Sequence, residues 1–226
     1  MDGGSKRARN WWSSHRAGGG EGATKRAFDV LVSLVGLTLV APLLLVTSLA
    51  ILLDDGVPIF YRQRRAGRAG RPFELLKFRS MRVNEVPPEQ MGQVRHGHPM
   101  ITRVGRLIRR TKIDELPQFV NVLRGDMSLV GPRPALVSDL DGYDEFDRRR
   151  LLVRPGITGW TAVNGAVQLT WPERIVLDVW YVDHGSFHLD LAILVRTIWV
   201  VLGGERARPA ALEAARRHAM AVRQGA

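Results

Sequence analysis

In the segment Thr111-Lys112-Ile113-Asp114-Glu115-Leu116-Pro117 two carboxylates stand side by side, with Arg106, Arg109 and Arg110 just upstream. Asp114 is placed to cap a helix of about ten residues, with Glu115 and Pro117 in its first turn and Gly125 as the stop signal after Phe119-Val120-Asn121-Val122-Leu123. A helix N-terminus and neighbouring arginines attract phosphate, whereas two carboxylates repel it. The conflict disappears if a divalent cation sits between them, or if one carboxylate is the nucleophile that attacks phosphorus. The plain alternative is a surface ion pair between Arg110 and Asp114 at i and i+4.

Two further segments make unusual demands on the backbone. Leu129-Val130-Gly131-Pro132-Arg133-Pro134 and Val153-Arg154-Pro155-Gly156-Ile157-Thr158-Gly159-Trp160 each set one arginine inside a Pro/Gly turn. A guanidinium fixed in that way has little freedom left to lose and suits bidentate phosphate binding. Gly156 and Gly159 also let backbone N–H groups come close to an anion. Taken singly, each segment is equally a tight surface turn.

The elements that position these residues are set by composition. The chain has 226 residues, no cysteine and a net charge of +11. Disulfides, thiolate catalysis and cysteine-bound zinc are therefore excluded, and partners rich in phosphate or anionic lipid are favoured. Residues 30 to 53 carry no charged side chain, a run longer than the ~20 residues that cross a bilayer, which argues against a nucleic-acid-binding domain. The run begins too late and is too long for a cleaved signal peptide. Its flanks are basic on both sides, Lys6 to Arg26 before it and Arg62 to Arg82 after it. A simple span is basic on one side only, so both ends are expected on one face of the membrane, with Pro42 making a helix-break-helix that re-enters its own leaflet. Ser33, Thr38, Thr47 and Ser48 are placed to satisfy carbonyls loosened at the break. A proline-kinked single span is the alternative.

Downstream, Pro58 to Gln63 and Pro72 to Phe78 read as two strands of a hairpin, with Gly67 and Gly70 in its turn. Arg64, Arg65, Arg68 and Arg71 are either solvated or in contact with lipid phosphates. Residues 83 to 99 form a long polar connection of the kind used for lids and binding loops. His96, His98, His184 and His188 lack the spacing of a metal site and are assigned no role. Trp11-Trp12 suit a lipid interface, while Trp180, Tyr181 and Trp199 are expected in the core.

The ordered motifs KFRSM at 77 to 81, DEL at 114 to 116, Asn121 to Pro134 and RPGITGW at 154 to 160 closely resemble those of the bacterial sugar transferases, the monotopic phosphoglycosyl transferases. The resemblance runs from about Lys25 to about Leu202 and includes the late block Leu177 to Val182. It implies a two-step transfer in which a carboxylate attacks the β-phosphate of a UDP-sugar, UMP leaves, and the phosphosugar passes to a polyprenyl phosphate. On this resemblance Asp114 is the nucleophile and Glu115 helps hold Mg²⁺ or a phosphate. Arg109, Arg133 and Arg154 hold the phosphates, and Lys77 and Arg79 are further anion contacts. The metal is assigned to Asp114 and Glu115. Expected partners are a UDP-sugar donor, a polyprenyl phosphate acceptor, membrane lipid and optionally a second copy of the chain, with no nucleic acid. The expected location is the bacterial inner membrane with the catalytic domain on its cytoplasmic face.

Two positions depart from the family pattern: Ala41 replaces a serine before Pro42, and Ala162 replaces a glutamine in Trp160-Thr161-Ala162-Val163-Asn164-Gly165. The fold expected is α+β and mainly helical. Its parts are a flexible basic tail over 1–23, a membrane-embedded re-entrant helix over 24–56, a compact cytosolic catalytic domain with a short β-hairpin over 57–203, and a basic helix or tail over 204–226. A membrane-anchored basic protein without enzymatic activity is the rival reading.

Overall fold

The computed structural model describes residues 22–82, 98–204 and 206–224. Most of the basic tail, Trp11-Trp12, His96 and nearly all of the polar connection after Arg82 therefore lie outside the described residues. The remainder is mainly helical with two small sheets, as the sequence predicts.

Helix α1 spans Ala23–Asp55, 33 residues, and would be about 50 Å long if straight. Pro42 lies inside it. The expected helix-break-helix is thus one continuous helix: Pro42 removes one N–H, and the helical hydrogen bonds on either side of it persist. Two of the four predicted hydroxyls bond within it, Thr38 Oγ1 to Leu34 O at 3.0 Å and Ser48 Oγ to Leu44 O at 2.7 Å. The helix is amphipathic in the inverse sense. Its buried positions are Lys25, Asp29, Ser33, Thr47 and Ile51, mostly polar, while Leu39 and Leu53 on the outside are 75% and 78% exposed. Its apolar window has the length and hydropathy of a membrane span and is only 11% buried by protein. An apolar outer face is costly in water and costless in lipid.

Both ends of α1 are tied to the rest of the chain by polar groups. Near the start, Lys25 Nζ pairs with Asp190 Oδ2 at 2.6 Å and donates to Val130 O at 3.2 Å, and Asp29 accepts from Ser128 Oγ and Leu129 N. Near the end, Asp54 Oδ2 accepts from Val104 N at 2.9 Å, and Asp55 pairs with Arg79 at 3.3 Å. Between them Phe119 lies against Gly36, where an added Cβ would stand 3.3 Å from the ring.

Strands β1 (Phe60–Ala66) and β2 (Pro72–Phe78) form the predicted hairpin, with Tyr61 opposite Lys77 and Arg65 opposite Phe73. After α2 (Arg103–Arg110) and α3 (Gln118–Arg124) come β3 (Ser128–Val130) and β4 (Ala135–Leu136). β4 pairs antiparallel with β1, and β3 pairs parallel with β5 (Gly156–Thr158). The short helices α4 (Glu145–Arg148) and α5 (Trp160–Val163) lead to α6 (Trp171–His184), opened by a Thr170–Glu173 capping box and buried along Ile175, Leu177, Val179 and Val182. Helix α7 (Phe187–Gly203) follows, then α8 (Pro209–Gln224). Trp180 stacks on Trp160 and Tyr181 is buried, as expected for the core. Trp199 is not in the core: it is 71% exposed on the outer face of α7 beside Val195, Ile198 and Leu202, a second apolar surface like that of α1.

The C-terminal helix is docked. Ala215 and Ala219 are buried, and Arg216 and His218 reach Glu173 and Asp183 of α6, each at 2.7 Å. Small residues give α8 little apolar face in sequence but let it lie close to α6. Deleting residues 209–226 should lower the thermal midpoint by about 5 °C, the effect of losing roughly 2 kcal/mol, read by thermal unfolding in detergent. An unchanged midpoint would show that the docked helix adds nothing to stability.

Candidate active site

The site is built on the hairpin. Directly opposed residues of an antiparallel pair share a face, so Tyr61, Gln63 and Arg65 of β1 lie on the same face as Lys77 of β2. Arg62 and Glu74 lie on the other face and pair with each other.

The dyad reaches this face by a route the sequence did not predict. Helix α2 ends at Arg110 and Lys112 takes a left-handed conformation, φ 60° and ψ 13°. Asp114 and Glu115 then sit in a 3₁₀ turn, Ile113–Glu115. Asp114 therefore does not cap α3, which starts only at Gln118, and Arg110 and Asp114 do not share a helix. Gly125, φ 91°, does end α3 as predicted. A left-handed lysine is strained, and the strain is offset by Ile113, which packs with Phe78, Ile108, Ile51 and Leu44 of α1. The dyad is thereby fixed between the hairpin and the C-terminal half of α1.

Lys77 Nζ lies 2.6 Å from Glu115 Oε1, and Arg133 Nη2 lies 3.8 Å from the same oxygen. The two neighbouring carboxylates are pushed in opposite directions. Burial and then the adjacent Glu115 charge raise Asp114 above the ordinary aspartate range, only partly offset by Lys77, Arg109 and Lys112. Burial would also raise Glu115, but Lys77 and Arg133 outweigh it and hold the group at about 2. Burial lowers Lys77, and Glu115 opposes that shift.

Of the sequence-predicted cations, the structure gathers Lys77, Arg109 and Arg133 around the dyad. Arg79 is buried against the end of α1, donating to Asp55 O at 2.7 Å, Gly56 O at 2.8 Å and Val57 O at 3.4 Å. Arg154 Nε donates to Gly125 O at 2.8 Å, at the end of α3. Pro42 is in the interior of α1, and Ala162 is in α5.

The two Pro/Gly turns hold each other. Gly131 N donates to Thr158 O and Gly156 N to Pro132 O, both at 2.9 Å, and a Cβ added at Gly156 would stand 2.1 Å from Gly131 N. These glycines are required for close approach of two backbones. Two guanidiniums then grip the Arg133 turn: Arg150 Nη2 donates to Arg133 O at 2.9 Å, and Arg65 Nη1 to Pro134 O at 3.2 Å. Arg150 is itself buried on Asp178 and Tyr143. Sequence reasoning missed Arg65 and Arg150 as site residues. The alternation Tyr61, Gln63, Arg65 was the available signal for the first, whereas nothing local marks the second.

Among the described residues the histidines form no metal centre. His184 stacks on Trp180 at 4.4 Å, His218 pairs with Asp183, and no cluster of three or more His, Asp or Glu suited to a metal occurs among the described residues.

The fold sets two carboxylates among three cations beside a helix with an apolar outer face, and comparison with known proteins gives the chain its family. Residues 20–204 match the family model described as bacterial sugar transferase. The chain is 45% identical over 181 residues to EpsL of Bacillus subtilis, an uncharacterized sugar transferase, covering 80% of this chain and 88% of that one. It is 43% identical over 184 residues to the UDP-glucose:undecaprenyl-phosphate glucose-1-phosphate transferase of Caulobacter vibrioides, covering 77% and 68%. With the UDP-N-acetylgalactosamine-undecaprenyl-phosphate N-acetylgalactosaminephosphotransferase of Aeromonas hydrophila it shares 41% over 192 residues, 81% of this chain but 45% of the larger relative. The chain belongs to the bacterial sugar transferase family.

Two predictions follow from the geometry. Because Glu115 titrates below its unfolded value of 4.5, its pairing stabilises the fold above that pH and the contribution fades as pH falls toward 2. Glu115→Gln should therefore cost about 3 kcal/mol at neutral pH, leaving Lys77 buried without its partner, and the gap to wild type in thermal midpoint should narrow between pH 4.5 and the lowest pH tolerated. Gly156→Ala should separate the two turns and remove nearly all catalytic turnover. Wild-type turnover in a folded Gly156→Ala protein would overturn the requirement for backbone contact.

Proposed function

We propose that this protein transfers a phosphosugar from a UDP-sugar to polyprenyl phosphate at the cytoplasmic face of the bacterial inner membrane, through a covalent intermediate on Asp114. The observation that carries the reading is the dyad itself: one carboxylate committed to Lys77 and Arg133, its neighbour raised and flanked by cations, both beside a helix whose outer face is apolar. The names of the Caulobacter and Aeromonas relatives, a UDP-sugar acting with undecaprenyl phosphate, support it.

In the first step an Asp114 carboxylate oxygen attacks the β-phosphorus. The bond from that phosphorus to the bridging oxygen breaks, and UMP leaves with the electron pair. In the second step an oxygen of polyprenyl phosphate attacks the same phosphorus and Asp114 is released as carboxylate. Lys77, Arg109 and Arg133 neutralise charge that builds on the phosphate oxygens. Mg²⁺ fits this donor set, since it commonly binds through one or two carboxylates plus substrate phosphates. Glu115 and Asp114 would hold the ion, and it would supply charge neutralisation at the diphosphate. Arg79 and Arg154 would contribute by holding the ends of α1 and α3.

That the continuous helix α1 lies along one face of the membrane, rather than crossing it, is supported by its anchors. Lys25 and Asp55 stand near opposite ends of the helix and each forms an ion pair with the same domain. A helix crossing the bilayer would draw one of those pairs, and the residues around it, across the hydrocarbon. Both ends on one face leave the apolar outer surface in lipid and the polar stripe against protein.

With Mg²⁺ and the matching member of a UDP-sugar panel, the solubilised protein should release UMP, and Asp114→Asn should lower the rate at least about 10³-fold. Without acceptor, intact mass spectrometry should find one phosphosugar adduct on Asp114. Turnover by Asp114→Asn at the wild-type rate would remove the covalent mechanism. In the free protein without Mg²⁺, the Asp114 carboxyl should titrate at a higher pH than an ordinary aspartate, as read by its NMR shift, and an ordinary aspartate titration would remove the asymmetry of the dyad. Reporters at the two termini should map to the same side, and opposite sides would sink the one-face placement of α1.

A further inference from the structure

The row Tyr61, Gln63, Arg65 on β1 shares the site face with Lys77, yet nothing in the transfer as described uses it. Arg65 is held in place: Gln63 Oε1 accepts from its Nε at 3.0 Å and its Nη2 at 2.7 Å, and Pro134 O accepts from Nη1. It lies electrostatically next to Arg133, Asp139, Tyr61 and Glu115, whereas Asp114 has Glu115, Lys77, Arg109 and Lys112 as its neighbours. Glu115 is the member common to both groups. Ile113, next to Asp114, packs with Phe78 and Ile59 at one end of the hairpin, and Glu115 meets Lys77 and Arg133 beside it. Arg65 lies toward the other end, where β4 joins and its Nη1 reaches Pro134 O. The row of cations therefore runs away from the Asp114 side and ends in Arg133 and Arg65.

The Arg133 side chain is exposed while Arg65 is largely buried, so the two like charges repel each other and Arg65 also loses hydration. Burial, followed by the Arg133 charge, depresses Arg65 to about 10, so it keeps its proton at neutral pH. Lys77, Arg133 and Arg65 face the carboxylates of Glu115 and Asp139, and an anion bound between Arg133 and Arg65 would relieve the repulsion of the two guanidiniums. Which anion follows from the direction of attack. In-line displacement puts the leaving oxygen on the far side of phosphorus from the nucleophile. With Asp114 at one end of the row, the departing phosphate is directed to the other.

We propose that Arg65, oriented by Gln63 and acting with Arg133, binds the phosphate of the leaving nucleoside monophosphate. The inference rests on the transfer proposed above. When the bond from the β-phosphorus to the bridging oxygen breaks, the electron pair stays on that oxygen and the nucleotide phosphate gains a negative charge. Arg65 and Arg133 receive that charge, and no proton has to move. The contact of Arg65 with Pro134 O couples the position of this phosphate to the turn that carries Arg133.

The test compares UMP and uridine, which differ only by the phosphate, as ligands of the full-length protein in lipid nanodiscs, by calorimetry and as inhibitors of UMP release. Wild type should prefer UMP strongly. In Arg65→Gln that preference should fall about 10- to 100-fold, the range for a lost charged hydrogen bond. In Arg65→Lys it should recover in part, and the KM for polyprenyl phosphate should not change. Gln63→Leu leaves the Pro134 contact in place and should reduce the preference by a smaller factor, which keeps the test open if Arg65→Gln does not fold. A ratio of UMP to uridine affinity that is unaltered in the folded variants would reduce Arg65 to a support for the turn and overturn the inference. Absence of any UMP preference in wild type would instead overturn the parent reading.

Discussion

The structure depends on the polar stripe of α1. A helix with leucine outside and Lys25, Asp29 and Ser33 inside has no stable arrangement as an isolated helix in water or in lipid. It becomes stable when its polar side is covered by protein and its apolar side by hydrocarbon. The partners of that stripe are also what the site is built from. Asp29 and Lys25 hold β3, which runs directly into the Arg133 turn. Asp55 holds Arg79, two residues beyond Lys77, and Asp54 holds the start of α2, which leads to the dyad. The apolar helix thus serves as the floor of the site and, on the proposed placement, as an anchor.

From that floor the remaining order is carried by backbone contact. Gly131 and Gly156 let two rigid turns approach to a distance no side chain would permit, so the Arg133 carbonyl and the end of α3 share one unit. Buried guanidiniums then serve as brackets. Arg150, Arg79 and Arg154 all donate to main-chain carbonyls. In a chain with such a basic balance, an arginine beside a phosphate motif is easily read as a phosphate ligand, and here several of them hold the loops around the dyad.

What the sequence revealed divides along the same line. The hairpin, the stop at Gly125 and the paired Pro/Gly turns were legible because each reflects a local backbone requirement carried by a residue type. The dyad was legible because two adjacent carboxylates in a basic setting pose an electrostatic problem visible without coordinates. The 3₁₀ turn was not, since Lys112 gives no sign of a left-handed conformation imposed by the packing of Ile113. Arg65 read as one of four loop arginines because its direction depends on strand register, which places it opposite Phe73 and on the face of Lys77. The unbroken course of α1 through Pro42 and the exposure of Trp199 depend on tertiary support and on a solvent that is not water.

The division of labour within the dyad follows from one contact. Two carboxylates in a single tight turn cannot both be ionised cheaply in a partly desolvated site, and whichever receives the closer cation ionises first. Lys77 stands at 2.6 Å from Glu115, so Glu115 carries the charge and its field raises Asp114. A carboxylate raised in this way is a better nucleophile once ionised than one stabilised by an ion pair, because less electrostatic stabilisation is lost when it bonds to phosphorus. On the proposed mechanism, Lys77 selects the nucleophile by neutralising its neighbour. The cation that fixes Glu115 therefore determines which of two chemically similar groups reacts.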